Sequence, residues 1–331
     1  KDHAEDFLSR RERGDFVDGH GDLHLDHCWF EEDDAEPLFI DCIEFRDDFR
    51  QFDPASEVAF PFMDFAYRGR PHFGERFLRR YARASDDFDL FRVFNFYTTY
   101  RALVRTKVAA IAACSPELST QQREDSAGSL KRHLLLARRL ISHRKAPGLV
   151  LVSGLVGSGK STVAETVAES LHGIVIASDV VRKHLAGLRL QDRSSTAWRE
   201  GLYSEEMTER VYAGLLERAQ PVIDSGRVAV LDATYATQAH RKAALDWAEE
   251  RGVPVFFVEA RCSEEDTLRR LERRQRANQD PSDAGPEIFA KSKSAYESLA
   301  DLAGRSFLSV LSVDTELSGW RKRLRSQLRQ R

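Results

Sequence analysis

The sequence predicts an α/β protein: a parallel sheet with helices on both faces, preceded by a mainly helical segment. Three observations predict it. The stretch Gly154-Leu155-Val156-Gly157-Ser158-Gly159-Lys160-Ser161 fits the phosphate-binding template G-x-x-x-x-G-K-[ST] at every fixed position. Apolar runs recur after it between stretches of helical spacing, the alternation of a parallel sheet covered on both sides. Before it, from Glu75 onward, apolar residues keep helical steps.

A length of 331 residues suits about two domains. The hydrophobic share, 42%, is enough for a core in each. Net charge is −3 with mixed signs, so no global basic field argues for nucleic acid. Cys28, Cys42, Cys114 and Cys262 are scattered without a C-x-x-C pair, which fits a reducing, cytoplasmic setting. No apolar run has the length of a membrane span, and no signal peptide is visible. The first residue is Lys1, not Met, so the chain reads as a piece of a longer polypeptide. Lys145-Ala146-Pro147-Gly148 ends the helical part, since proline breaks a helix, and divides the chain into 1–144 and 145–331.

Residues 1 to about 15 are charged and read as a helix. Gly19-His20-Gly21-Asp22-Leu23-His24-Leu25-Asp26-His27 follows as a loop, then an alternating run to Phe30. After an acidic turn, Pro37-Leu38-Phe39-Ile40-Asp41 is a strand ending in a carboxylate. If the two strands pair, Asp22 and Asp41 come together. This segment resembles the catalytic part of the aminoglycoside phosphotransferases, whose pattern is H-G-D-x-x-x-x-N followed by a strand ending in Asp. The resemblance implies the C-lobe of a protein-kinase-like fold. It also implies Asp22 as general base, Asp41 as ligand of the nucleotide's Mg²⁺, and a structural role for Asp53-Pro54 with Glu57. His27 stands where that family has Asn, and an imidazole is a poor ligand for a hard cation. The family's N-terminal lobe has no counterpart before His20. A different reading of the same residues is a metallo-hydrolase loop, because His20, Asp22, His24, Asp26 and His27 crowd metal-ligand types together. A loop without chemistry is the third.

The helical stretch from Glu75 carries Phe88, Phe91, Phe94, Phe96, Tyr97 and Tyr100, a stripe expected in the core. Arg101, Arg105 and Lys107 are expected on a solvated or salt-bridged face, with an acidic pocket as the alternative. Residues 115–128 are polar and read as a loop or loose helix start. Leu130, Leu134, Ala137 and Ile141 then mark an amphipathic helix.

In the second half, strands are expected at Gly148–Ser153, Gly173–Ala177, Val228–Leu231, Pro254–Glu259 and Phe307–Val313. The glycines of the loop let main-chain N–H groups close around a polyphosphate at a helix N-terminus. Gly154, Gly157, Ser158, Gly159, Lys160, Ser161 and Thr162 are the expected nucleotide-binding residues, Lys160 on the β and γ phosphates and Ser161 on Mg²⁺. Asp179-Val180-Val181-Arg182 opens the helix after the second strand. It resembles the P-loop kinase superfamily of polynucleotide kinases, zeta toxins and gluconate-kinase-like proteins. There the Asp takes the acceptor hydroxyl's proton and the Arg holds substrate or phosphate, roles the resemblance carries to Asp179 and Arg182. A helix-dipole carboxylate beside an exposed Arg is the alternative. Asp232-Ala233-Thr234 ends the third strand, where an Asp supports Mg²⁺ or simply closes a turn. Arg270 and Arg274, four apart on one helix face, resemble that superfamily's arginine lid, with the turn-rich 278–285 as its tip. The basic tail from Trp320 to Arg331 suits a helix C-terminus, with an acidic or RNA partner as the alternative.

Together the two resemblances are those of bacterial two-domain proteins fusing an aminoglycoside phosphotransferase-like domain to an AAA-type P-loop kinase-like domain. They imply an ATP- and Mg²⁺-dependent phosphotransferase acting on a hydroxyl-bearing small molecule. A regulatory or toxin-like NTPase module without a small-molecule acceptor, and a metal-dependent hydrolase at His20–His27, are the other classes.

Overall fold

The computed structural model describes residues 4–32, 36–142, 146–192, 201–277, 286–302 and 306–311. The chain divides into two units, Lys1–Tyr81 with Asp89–Arg144, and Ala82–Phe88 with Lys145–Arg331.

The first unit starts with helix α1 (Ala4–Glu12). Two small antiparallel pairs follow, β1 (Val17–Asp18) with β4 (Gln51–Phe52) and β2 (Cys28–Trp29) with β3 (Leu38–Phe39). Helix α2 (Pro54–Tyr67) begins where Asp53 accepts the N–H of Ala55 at 2.8 Å and proline takes the first helical position. Arg10 of α1 grips the same carboxylate through two bonds of 2.7 and 2.9 Å, and each of the two residues is 1% exposed. Helices α3 (Pro71–Ser85), α4 (Leu90–Cys114) and α5 (Thr120–Ser142) complete the run. Phe60 and Met63 of α2, Ala102 of α4 and Ala137 of α5 form a core, with Tyr67, Leu136 and Leu140 packed on it.

One open reading is settled here and two expectations are corrected. Helix α5 starts at Thr120, so of the two readings of the polar stretch the helix start holds and the loop does not. Ser119 and Gln122 exchange side-chain and main-chain hydrogen bonds of 2.9 and 3.3 Å, a capping box that starts the helix there. The aromatic stripe is divided: Phe88, Phe91 and Phe94 are buried, whereas Phe96 and Tyr100 are about half exposed and stack on each other. Arg101 is not on a solvated face. It donates to the carbonyls of Ser56 and Gly21 and lies over the Phe60 ring, because interior carbonyls need its donors.

The second unit holds five parallel strands: β5 (Gly148–Ser153), β6 (Ile174–Ala177), β7 (Val228–Asp232), β8 (Val255–Arg261) and β9 (Phe307–Leu311), ordered β6-β7-β5-β8-β9. Helices α6 (Lys160–Leu171), α7 (Ser178–Leu185), α8 (Glu205–Asp224), α9 (Gln238–Glu250), α10 (Glu264–Ala277) and α11 (Pro286–Ser294) flank the sheet. Every residue of β5 and β7 is buried, as strands covered on both faces require. Val150, Val152, Val163, Val167, Val230, Phe256, Val258 and Val310 belong to the core between sheet and helix. The central strand β5 has β7 on one side and β8 on the other, so its carboxyl end lies where crossovers diverge, the usual ligand position in such sheets.

Candidate active site

Strand β5 runs out into the loop 154–159, and α6 starts at Lys160. Gly154, Gly157 and Gly159 have φ of 142°, 77° and 89°, which side-chain-bearing residues rarely adopt. Space is also short: a Cβ on Gly154 would stand 2.5 Å from the Ala260 carbonyl oxygen, and one on Gly157 2.8 Å from Thr267 Cγ2. The loop is tied at both ends by Gly154 N–H to Thr234 O at 3.3 Å and Val163 N–H to Gly159 O at 3.1 Å. Lys160 Nζ donates to the Leu155 carbonyl across the loop at 2.9 Å. Ser161 and Thr162 are exposed at the start of α6. Ser158 Oγ is buried without a hydrogen-bond partner.

Asp232 closes β7 opposite Val152 of β5 and Ala177 of β6. Burial pushes its carboxyl above the usual carboxylate range. The Lys160 charge and a hydrogen bond from Ser161 pull it back, and neighbouring Asp179 adds to the rise. Lysine, hydroxyl and two carboxylates therefore meet at the mouth of the loop. These residues fit a Mg²⁺-nucleotide: left-handed glycines for phosphate oxygens, exposed hydroxyls, and hard oxygen donors for the cation.

Asp179 and Arg182 both lie on α7 but turn apart. Asp179 is half-buried near Asp232, whereas Arg182 donates to the Leu202 carbonyl at 2.7 Å and sits 4.8 Å from the Tyr203 ring centre. The Leu202 carbonyl thus holds the longer of the two side chains. Arg270 reaches the loop directly, its Nη1 3.4 Å from the Ser158 carbonyl. The side chain of Arg274, the turn-rich 278–285 and the basic tail from Trp320 lie outside the described residues.

Sequence reasoning missed the residues that set the end of β7. Tyr212 of α8 bonds Thr234 Oγ1 at 3.1 Å, accepts the Tyr235 N–H at 3.1 Å, and stacks on His240. Tyr235 itself is buried at φ 45°. Arg241, fully buried, binds Asp301 twice and the carbonyls of Tyr235, Ala236 and Ser298. An interior arginine in a helix otherwise rich in polar residues leaves no periodic signature.

In the first unit, Glu57 accepts the N–H groups of His20 and Gly21 at 2.7 and 3.2 Å, and Asp64 accepts that of Leu25 at 3.0 Å. Helix α2 thereby holds the histidine loop from below. Asp22 and Asp41 flank His27: Nδ1 is 3.9 Å from Asp22 Oδ2 and Nε2 is 3.3 Å from Asp41 Oδ2. Burial pushes the His24 imidazole pKa down, helped by the Arg105 charge.

Residues 149–299 match the AAA domain family. An uncharacterized protein of Mycobacterium tuberculosis (strain ATCC 25618 / H37Rv) is 35% identical over 257 residues, 78% of this chain and 49% of the relative. An uncharacterized protein of Mycobacterium bovis matches with the same figures. The chain spans about half the length of these curated relatives. Over 45 residues it is 44% identical to the 6-phosphofructo-2-kinase/fructose-2,6-bisphosphatase 1 of Bos taurus, covering 14% of this chain and 10% of that one. Among solved structures, a gluconokinase from Sinorhizobium meliloti is similar at 20% identity and TM-score 0.38, over 56% of this chain and 98% of its own. The APS kinase of Mycobacterium tuberculosis is similar at 19% identity and TM-score 0.37, over 56% and 99%. Fold and loop define an α/β P-loop protein with a helical region before it. No described helix is long and apolar enough to cross a membrane.

Proposed function

We propose that residues 145–331 are an ATP-dependent kinase domain that transfers the γ-phosphoryl group to an alcohol on a small molecule, and that residues 1–144 form a separate domain. The observation that carries this reading is the meeting of Lys160, Ser161 and Asp232 beside a glycine loop whose backbone is already left-handed. Lys160 and the loop N–H groups bind the phosphates. Ser161 and Asp232 would hold Mg²⁺, which when bound neutralises charge on the transferring group. Asp179 orients the acceptor hydroxyl and takes its proton. Arg270 and Arg274 offset the negative charge that spreads over the phosphoryl oxygens, work that positioned cations do well in a water-poor site. The kinase names of the solved relatives belong to those proteins, and the acceptor here is a hydroxyl compound by the chemistry of Asp179.

The test is phosphoryl transfer from labelled ATP to a panel of sugars, aminoglycosides and nucleosides. Label is expected on an acceptor, and Lys160→Ala is expected to lower turnover by about 10²-fold or more. Release of phosphate with no acceptor labelled would instead assign an NTPase module, and unchanged turnover in Lys160→Ala would exclude this site.

A further inference from the structure

We propose that Asp22, His24 and His27 form a binding site for one borderline divalent transition metal, for which zinc is the probe. One ligand atom from each of the three lies within 4.8 Å of the others. Asp22 Oδ2 is 3.6 Å from His24 Nε2 and 3.9 Å from His27 Nδ1. Bonds of about 2.0–2.1 Å at tetrahedral angles put neighbouring ligand atoms roughly 3.4 Å apart, so the trio stands close to a coordination polyhedron. The same separations are too long for hydrogen bonds.

The far nitrogens of both rings meet carboxylates. His24 is 8% exposed, and its Nδ1 is buried with no hydrogen-bond partner; Asp26 Oδ2 is 3.5 Å away. Arg68 fixes Asp26 with a bond of 2.6 Å. His27 turns Nδ1 towards the trio, 2.9 Å from the Asp22 carbonyl, and Nε2 towards Asp41 at 3.3 Å. The Asp22 carbonyl accepts the Nδ1 proton, so an ion on His27 Nδ1 displaces that bond and leaves the ring's proton on Nε2, where Asp41 accepts it. Asp41 holds a left-handed φ of 60° at this position. A carboxylate behind each ligating imidazole is the arrangement that orients histidines around a metal.

Glu57, Asp64 and Arg101 pin the loop through its main chain. Gly21 has φ 82°, and a Cβ there would stand 2.9 Å from Ile43 Cδ1. Two imidazoles and one carboxylate favour zinc-like ions over Mg²⁺, which takes oxygen ligands. The half-exposed Asp22 leaves one side open, so a fourth position is available to water.

The experiment is zinc titration of the full chain, stripped of metal, against a chromophoric chelator, with cobalt absorption as a second readout. One equivalent per chain is expected, undisplaced by millimolar-range magnesium. Asp22→Asn and His24→Gln should each weaken zinc at least about tenfold, and Asp26→Asn about 10–100-fold, as outer carboxylates do. Cys28→Ser should leave affinity and cobalt spectrum unchanged. Thermal melts verify folding, and because Asp26 is exposed its variant reports even where the other two unfold. Substoichiometric zinc in the parent, parent affinity in Asp22→Asn or Asp26→Asn, or a cobalt–thiolate band lost in Cys28→Ser would each overturn the assignment.

Discussion

Asp232 is a side chain held in the fold at a cost. Its folded carboxyl titrates above its unfolded value because burial disfavours the charged form. The folded state therefore binds the proton more tightly, and stability declines as pH rises through that raised pKa. Asp232→Asn removes the penalty. Its melting temperature at pH 7 should exceed the parent's, the difference closing at acid pH, while phosphoryl transfer falls about 10²-fold or more. A scan of Tm against pH checks both parts. Arg10 and Asp53 are the reverse case, a buried pair each of whose partners needs the other. Arg10→Ala strands a buried carboxylate and should cost about 3–5 kcal/mol in urea unfolding. At this scale the neighbourhood of Lys160, Ser161 and Asp232 follows from features visible in the sequence, the first two from fixed places in the glycine motif and the third from its place at a strand end. Tyr212 was not legible there, since its partner Thr234 lies 22 positions away, and no local pattern announces a bond of that separation.

Elements were legible where periodicity is strong. The five strands fell at the expected apolar runs, because strands buried on both faces cannot hide their composition. Their order was not legible, since alternation of strand and helix fixes direction but not neighbours. The start of α5 was left open between loop and helix because polar composition masks a short signal, Ser119 followed three residues on by Gln122. Ser119→Ala should cost about 1 kcal/mol, read by urea unfolding. In the histidine loop the residue types were visible, but the carboxylates behind each ring depend on β2 pairing with β3 and on Arg68 of the turn after α2.

The whole molecule has a core in each unit, one helical and one sheet-based. A proline after a helix stands near residue 145, where the first unit ends. The assignment of Ala82–Phe88 to the second unit did not show, because those residues, the end of α3 and the connection to α4, carry no break that the sequence announces. Ligands that address one unit should stabilise that unit. In calorimetry, Mg²⁺-ATP at a hundred times its Kd should add about 2.7 kcal/mol to the transition of the P-loop unit. Lys160→Ala should abolish that increment while leaving the first unit's transition in place.

The wedge of Gly154 against Ala260, and of Gly157 against Thr267, has an evolutionary corollary. Those two glycines are required by steric fit whether or not a nucleotide ever arrives. A descendant that bound no nucleotide would keep them to go on folding. The lysine beside them, partly exposed and filling no gap of that kind, would drift first. Among divergent copies of this domain, loss of the ammonium group should therefore precede loss of the glycines.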